Sequence, residues 1–169
     1  SFEPFSSVGD VLELSRFMLG EADWSPYVVE VDGTIEGFAS YLRINPSGGV
    51  IEIGSIMYSP RLQATTAATE SAYLLMRHAF GSGYRRVEWK CDDLNAPSRV
   101  AGERLGFRYE GTFRNATHYK GRNRDTAWFA MTAEEWPRHR RTLEAWLDGS
   151  NFDQSGMQLH RLSDLRRQD

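Results

Sequence analysis

The stretch of sequence that decides the fold begins at Glu52 with EIGSIMYSPRLQATTAATE and ends at Phe107 with NAPSRVAGERLGF. An isoleucine-rich run over Val50 to Tyr58 predicts a strand, and apolar residues at helical spacing predict a helix over Ala67 to Phe80. A second strand, Tyr84 to Cys91, leads into a second helix. We therefore expect two parallel strands that each deliver a helix N-terminus to the same edge of a sheet.

The second helix has clear start and stop signals. Asn95 is a favoured N-cap residue, Pro97 fits the first turn because no amide donor is lost there, and Gly106 is a typical left-handed stop. The flanking segments predict an α+β fold with a mixed, mostly antiparallel sheet around the parallel pair. The remaining predicted elements are a helix over Val8 to Leu19, strands over Tyr27 to Val31, Ile35 to Ile44, Phe107 to Tyr119 and Thr126 to Met131, and a last helix that opens at a capping box over Thr132 to Glu135 and runs toward Leu147.

The length and composition are typical of a single domain whose positive and negative charges are nearly balanced. The chain has 169 residues, a formal net charge of -3 and one cysteine, Cys91. We expect no nucleic-acid binding, no membrane span and no metal site, because the charge is balanced, the apolar runs are short and the histidines lack ligand spacing. A lone cysteine allows no internal disulfide, which fits the cytoplasm. We expect one domain over residues 1–148 and a polar surface tail over residues 149–169.

The two strand-to-helix junctions suit an anionic ligand. Helix N-termini present unpaired amide donors and a partial positive charge, which favours a group such as a pyrophosphate. The first junction carries small residues from Ala64 to Ala68, which let the backbone approach a phosphate closely. The same features also fit an ordinary strand-to-helix turn in which small residues serve packing, so the junctions alone leave both interpretations open.

The order and spacing of these elements resemble the GNAT superfamily of N-acetyltransferases, and more narrowly its RimJ/RimL-like branch. The segments that carry the resemblance are Glu52-Ile53-Gly54, Ser59-Pro60, Gln63 to Glu70, Asn95 to Ser98, Arg104 to Phe107 and Lys120 to Trp128. The resemblance implies a sheet with a central splayed pair of parallel strands, flanked by helices. It also implies a further N-terminal strand and helix that are absent or shortened here, so either the sequence is incomplete or the sheet lacks an edge strand.

The resemblance implies acetyl-CoA as the acetyl donor. The end of the first strand would pair with the pantetheine arm, the following loop and helix would hold the pyrophosphate, and the second helix would add further contacts. The cofactor-binding residues implied in this way are Ile56, Met57, Tyr58, Gln63, Ala64, Thr65, Thr66, Ala67, Ala68, Asn95, Ser98 and Arg104.

Three residues are candidates for the chemistry. Glu52 is the candidate base, because a protonated amine must lose a proton before it attacks a thioester. An alternation of two along the strand would place Glu52 on the same face as Ile56 and Tyr58. The resemblance assigns the oxyanion contact to the backbone amide of Met57 and the protonation of the leaving thiolate to Ser98. Glu52 could equally be a strand glutamate that faces solvent or an arginine, and Ser98 a first-turn serine bonded to backbone.

The acceptor is expected to be a primary amine, either a protein N-terminal α-amino group or a small molecule. His118 and Tyr119 are candidate acceptor contacts, because this family often uses the last hairpin for that purpose. Two positions depart from the family pattern: Thr66 stands where glycine is usual, and Gly102 stands where many members carry an acid tyrosine. A catalytically degenerate CoA-binding or protein-interaction module is therefore the alternative.

Two further expectations concern partners. A dinucleotide-binding enzyme is set aside, because no G-x-G-x-x-G follows a predicted strand. Exposed edge strands near the N-terminus could pair between subunits, which would give a homodimer.

Overall fold

The computed structural model describes residue 20 and residues 23–119 and 121–168 of the chain. The helix expected over Val8 to Leu19 lies outside these residues. Six strands form one sheet, and their bounds are Ser25–Val31 (β1), Thr34–Asn45 (β2), Val50–Tyr58 (β3), Arg86–Asp92 (β4), Arg108–Tyr119 (β5) and Arg122–Thr132 (β6). They lie in the order β1-β2-β3-β4-β6-β5, and neighbouring strands are antiparallel except for β3 and β4.

The helices follow the strands closely in sequence. Their bounds are Thr66–Gly81 (α1), Ala96–Leu105 (α2), Trp136–Leu147 (α3) and Leu162–Gln168 (α4), with a short 3-10 turn at Gly149–Asn151. The predicted caps of the second helix are confirmed: Asn95 accepts a hydrogen bond from the first turn, and Gly106 adopts a φ of 108°. The predicted mixed α+β sheet is likewise confirmed, and it places α1 after β3 and α2 after β4.

The last helix begins later than the capping-box prediction placed it. α3 starts at Trp136, although the carboxylate of Glu135 accepts a hydrogen bond from the Thr132 N–H at 2.9 Å. This bond is one half of the expected reciprocal pair. A turn over residues 133–135 separates it from the helix, because the chain must first leave the edge of β6.

The parallel strands β3 and β4 stay together for only part of their length. Their register covers three pairs, the last of which is Glu52 opposite Glu88, whereas β3 continues to Tyr58 and β4 to Asp92. The strands therefore splay apart over their C-terminal halves, as the resemblance implied. The backbone of residues 53–58 faces an opening on this side instead of a neighbouring strand.

A β-bulge at Ser55 reverses which residues of β3 face the helices. The register between β2 and β3 slips by one residue at this point, and Ser55 has a φ of 46°. Before the bulge, Ile51 and Ile53 pack into the core against α1; after it, Ile56 and Tyr58 pack against the same core. An extra residue in one strand shifts the alternation of every side chain beyond it.

The prediction that Glu52 shares a face with Ile56 and Tyr58 is therefore wrong. Glu52 lies on the face opposite the helices, whereas the end of its own strand points toward them. A strict period of two holds only in a regular strand, and Gly54, next to Ser55, is the local signal from which the bulge could have been predicted. The base candidate and the expected pantetheine contacts are thus on opposite sides of the sheet.

The core lies between the sheet and helices α1 and α3. The side chains with 0% exposure that build it are Met76, Val87, Phe129, Met131 and Leu143. Burying an apolar side chain of this size contributes roughly 1.5–3 kcal/mol. Because these residues come from α1, β4, β6 and α3, the same contacts hold the two strand-to-helix junctions in place.

The C-terminal segment differs from the expected surface tail. Leu162 of α4 is only 2% exposed, and the side chain of Asn151, at 5%, donates to the carbonyl oxygens of Trp146 and His160 at 3.0 and 3.2 Å. Two well-placed residues thus anchor a polar stretch against the domain, and composition alone could not reveal this. The segment remains largely exposed between these anchors, and the domain boundary at residue 148 stays a prediction.

Candidate functional site

A cavity of about 800 Å3 opens between α1 and α2, beside the free end of β3. The predicted cofactor residues that line it are Ile56, Tyr58, Gln63, Ala64, Thr65, Thr66, Ala68, Asn95, Ser98 and Arg104. Met57 and Ala67 do not belong to its lining; the predicted contribution of Met57 is its backbone amide, at the splayed end of β3. Both strand-to-helix junctions therefore open into one space.

The loop before α1 is held by hydrogen bonds at both ends. The side-chain amide of Gln63 donates to the carbonyl oxygen of Tyr58 at 2.9 Å, which ties the loop to the end of β3. Thr65 is the N-cap: its hydroxyl donates to Leu62 at 2.7 Å and accepts from the Ala68 N–H at 3.2 Å. The first-turn N–H groups that remain have no acceptor within the helix, so they are available to an anion.

The departure from the family pattern at Thr66 causes no strain. Thr66 is the first residue of α1 and has helical geometry. The left-handed residue of this loop is Ala64, with a φ of 61°. A Cβ in that region costs of order 1 kcal/mol, and the surrounding hydrogen bonds hold the loop in place despite this cost.

The start of α2 positions the hydroxyl of Ser98 at the cavity. Asn95 accepts from the Ser98 N–H at 3.2 Å, which fixes the first turn. The indole Nε1 of Trp89, on β4, donates to Ser98 Oγ at 3.2 Å. Oγ accepts this hydrogen bond and also contacts the thiol of Cys91: burial raises the pKa of Cys91, and its hydrogen bond with Ser98 lowers that pKa in part. An aromatic residue in a buried strand is expected in the core, but the role of Trp89 as a donor to Ser98 is visible only in the structure.

The glycine at position 102 is explained by Trp89. A Cβ on Gly102 would lie 3.2 Å from Cδ1 and 3.3 Å from Nε1 of the indole ring. A tyrosine at this position would collide with the ring. Trp89 is 6% exposed and also packs against Phe107, so it cannot move away easily. The absence of a tyrosine at position 102 is therefore linked to the presence of the buried Trp89 ring beside it.

The two arginines of α2 have different surroundings. Arg104 lines the cavity, donates to Thr69 Oγ1 at 2.9 Å and stacks on the ring of Trp146 at 4.7 Å. Burial lowers the pKa of Arg104, and no carboxylate pairs with it among the residues that the structure describes. Arg99 instead forms an ion pair with Asp93 and lies over the ring of Tyr109. Arg104 is thus the better placed of the two to meet an anion.

Glu52 is buried on the opposite face of the sheet. Its side chain is 2% exposed, and Oε2 lies 2.9 Å from Lys90 Nζ and 3.7 Å from Arg43 Nε. Burial raises the pKa of Glu52, the charges of Lys90 and Arg43 lower it, and the charge of Glu88 raises it further; the net direction is upward. A carboxyl group with a raised pKa is a stronger base, which suits proton abstraction near neutral pH.

The cations beside Glu52 share an aromatic partner. The guanidinium of Arg43 and the ammonium of Lys90 each lie 5.1 Å from the centroid of the Trp128 ring. Cation–π contacts of this kind hold flexible side chains in a defined position. Side chains alternate along β4, so Lys90 lies on the same face as Glu88. This alternation is a signal in the sequence from which the position of Lys90 on the face of Glu52 could have been predicted.

Several polar atoms on this face are buried without a hydrogen bond. Within the described ranges these atoms include Ser40 Oγ, Glu88 Oε2 and Trp128 Nε1. Buried polar groups are normally paired, so an unpaired set in one region marks either strain or a place for a polar ligand. They lie on β2 and β4, the two neighbours of β3, and on β6, the next strand beyond β4.

The candidate acceptor residues lie at the end of the last hairpin. His118 is exposed near the end of β5 and pairs in register with Asn123, and the backbone of Tyr119 pairs with Arg122. His118 does not line the cavity between α1 and α2, and the role of both residues in acceptor binding stays a prediction.

Among the residues that the structure describes, no helix has the length and apolarity that a membrane crossing requires. The same part of the chain contains no cluster of three or more histidine, cysteine or acidic side chains arranged to hold a metal ion.

The chain belongs to the acetyltransferase (GNAT) family, whose family model matches residues 3–107. Comparison with curated proteins gave no match. The family uses acetyl-CoA as its acetyl donor, and the cavity and splayed strands described above are consistent with that membership.

Solved structures extend the likeness beyond the matched segment. A GCN5-related N-acetyltransferase from Brucella melitensis is 40% identical, with a TM-score of 0.95 over 98% of this chain and 76% of that one. A GNAT-family protein from Chromobacterium violaceum is also 40% identical, with a TM-score of 0.78 over 80% and 70% of the two chains. RimJ from Mycobacterium smegmatis, solved in complex with CoA-disulfide, is 24% identical, with a TM-score of 0.71 over 85% and 74%. The last likeness shows the fold and not the branch.

Proposed function

We propose that this chain is an N-acetyltransferase that transfers the acetyl group of acetyl-CoA to a primary amine. The observation that carries the proposal is the splay between β3 and β4, which has a cavity on the helix side and Glu52 on the other. A thioester that reaches the splay from the cavity meets an amine that arrives from the opposite face. Donor and acceptor then approach through the sheet without competing for the same space.

The residues of the cavity fit the parts of this donor. Its volume of about 800 Å3 lies within the usual range for ligand pockets. The first turn of α1 offers backbone donors to a pyrophosphate, and Arg104 supplies a positive charge. The free edge of residues 56–58 offers backbone groups to the amides of a pantetheine arm, which would bind like an added strand.

The chemistry assigns one task to each of three residues. Acetyl-CoA supplies the acetyl group in activated form, as a thioester. Glu52 takes the proton of the amine nitrogen as that nitrogen bonds to the carbonyl carbon, and the amide of Met57 donates to the carbonyl oxygen as charge develops on it. When the carbon–sulfur bond breaks, Ser98 donates its proton to the sulfur and regains one from solvent.

The proposed class of acceptor rests on the resemblance to the RimJ/RimL-like branch and not on the geometry of the site. The resemblance to RimJ/RimL-like enzymes favours a protein N-terminal α-amino group, and a small-molecule amine is the alternative. His118 and Tyr119 are the proposed contacts on the acceptor, and their substitution by alanine is expected to raise the KM for the amine without changing the Kd for CoA.

Ligand-induced stabilisation tests the proposal. A ligand that binds only the folded state at 100 times its Kd adds about 2.7 kcal/mol, which raises the Tm of a domain of this size by roughly 5–10 °C. We expect this shift with acetyl-CoA and CoA and none with NAD. Thiol release is then measured with N-terminal peptides and small amines. Absence of a shift with both CoA species would refute the proposal, and a shift without thiol release from any amine would favour the degenerate binding module.

A further inference from the structure

We propose that the C-terminal loop over residues 152–158 forms the part of the cofactor site that receives the adenosine end of CoA. The inference rests on the proposed function, since it concerns the same cavity. Phe152, Gly156, Met157 and Gln158 line that cavity together with Trp146 of α3. These residues lie beyond residue 107, where the match to the family model ends.

The loop is held in shape by its own hydrogen bonds. Asp153 closes it as a compact turn: its carboxylate accepts from the N–H groups of Ser155 and Met157 at 2.8 and 3.0 Å, and its own N–H donates to the Met157 carbonyl at 2.9 Å. The indole of Trp146 donates to the Gln158 side chain at 2.9 Å, which fixes the turn against α3. A preorganised wall loses little entropy when a ligand binds.

The position of the loop selects the adenosine end. The free edge of β3 and Ser98 lie at the thioester end of the cavity, and the first turn of α1 serves the pyrophosphate. The loop contacts the later turns of the helices: Gln158 accepts from Trp146, and Arg104, which lies over the Trp146 ring, donates to Thr69 of α1. Of the three parts of CoA, only the adenosine remains for the end of the cavity at these turns.

The chemistry of this end matches a heteroaromatic base next to a phosphate. Phe152, Met157 and Ala72 supply apolar surface, and the thioether of methionine packs well on aromatic rings. Arg104 lies on the Trp146 ring with its charge unpaired by any carboxylate that the structure describes. Arg166 donates to the Arg104 carbonyl at 2.6 Å, so a second positive charge lies close to Arg104.

The test compares two exposed residues of the same segment. Met157 is 66% exposed and lines the cavity, whereas Leu159 is 59% exposed and does not. The Kd values of CoA and of pantetheine, which lacks the adenosine and its phosphates, are measured by calorimetry for the unmodified chain, Met157→Asp and Leu159→Asp. An added carboxylate close to a phosphate costs about 1 kcal/mol per charge pair, so we expect Met157→Asp to weaken CoA about fivefold, to leave pantetheine unchanged, and Leu159→Asp to change neither.

The outcomes separate this inference from the function on which it rests. Unaltered binding of CoA by Met157→Asp, or equal weakening of CoA and pantetheine, overturns the assignment of the loop while the proposed function stands. A raised KM for the amine with an unchanged Kd for CoA places the loop at the acceptor and also overturns it. Failure of the unmodified chain to bind CoA refutes both. Met157→Ala, which adds no charge, keeps the test valid if the aspartate variant does not fold; a smaller loss for CoA alone is then expected.

Discussion

The two faces of the sheet bury different kinds of side chain. On the helix side, β4 and β6 bury Val87, Phe129 and Met131. On the opposite side, β3 and β4 bury the carboxylates of Glu52 and Glu88. The first arrangement stabilises the domain, because the burial of apolar side chains is favourable. The second is costly, since each charge removed from water loses several kcal/mol of solvation that ion pairs return only in part.

The difference between the two faces shows where the structure serves function at the expense of stability. Buried carboxylates, cations and unpaired polar atoms gather on the face opposite the helices, around Glu52. The helix side instead carries a cavity with a preformed loop and a positioned Ser98. We interpret the helix side as the donor site and the opposite face as the acceptor site, with the bulge at Ser55 as the point where the chain changes from one to the other.

The largest effect is expected when the base is removed from the acceptor face. Glu52→Gln keeps the shape of the side chain but cannot accept the proton of the amine, so we expect kcat/KM to fall about 10³-fold. The Kd of CoA should not change, because Glu52 faces away from the cavity. Steady-state kinetics and calorimetry check the two halves of this prediction.

Glu88→Gln is the matched control for Glu52→Gln. Glu88 is the register partner of Glu52 and is 7% exposed, but it pairs with Arg86 instead of Lys90. It should keep kcat/KM within a few-fold of the unmodified value. Equal losses in both variants would show that burial of charge on this face matters in general and that Glu52 has no special role.

A smaller loss is expected when the donor face is changed. Ser98→Ala removes the proposed proton donor for the leaving thiolate and should lower kcat about 10²-fold. Trp89→Phe removes the indole donor to Ser98, a neutral hydrogen bond of about 1 kcal/mol, so kcat should fall about fivefold. It also shortens a buried ring, and thermal unfolding registers that effect separately. If Trp89→Phe is as damaging as Ser98→Ala, the tryptophan acts on the ligand directly and not through Ser98.

Lys90 tunes the acceptor face, and its removal should move the pH profile. The raised pKa of Glu52 means that activity falls as the pH drops through that pKa, because the base becomes protonated. The charge of Lys90 holds the pKa down, so Lys90→Met should shift the acidic limb of kcat/KM to higher pH. Lys90→Arg keeps the charge and should restore the limb; Arg43 and Glu88 remain as neighbours in both variants. If the acidic limb of the kcat/KM profile does not move in Lys90→Met, the ionisation that produces this limb does not belong to Glu52.

The smallest expected effect concerns strain in the donor loop. Ala64 holds a φ of 61°, so Ala64→Gly should raise the free energy of unfolding by about 0.5–1 kcal/mol. Ala67→Gly lies within α1 and should lower it by about the same amount, because glycine is a poor helix former. Thermal unfolding measures both. Destabilisation by Ala64→Gly would show that the loop is not strained at this residue.

Much of the donor site could be predicted from the sequence because its parts are close together in the chain. Gln63 to Ala68 and Asn95 to Ser98 follow directly after strands, and their caps depend on local backbone geometry. The structure gathers most of these residues around one cavity. The sequence missed the loop over residues 152–158, since no local pattern indicates that Asn151 and Leu162 anchor it.

The sequence by itself determined the order of the strands and helices along the chain and the caps of α2, because these depend on periodicity and on turn residues close together in the chain. The resemblance of its motifs indicated the GNAT family, which the family model shows. Only the tertiary structure decided that Glu52 lies opposite Ile56 and Tyr58, that Lys90 pairs with it, and that Trp89 occupies the space beside Gly102. Each of these depends on strand register, on one bulge or on contacts between distant segments. A single extra residue at Ser55 reverses the faces of a strand, and the adjacent Gly54 signals an irregularity without deciding the register.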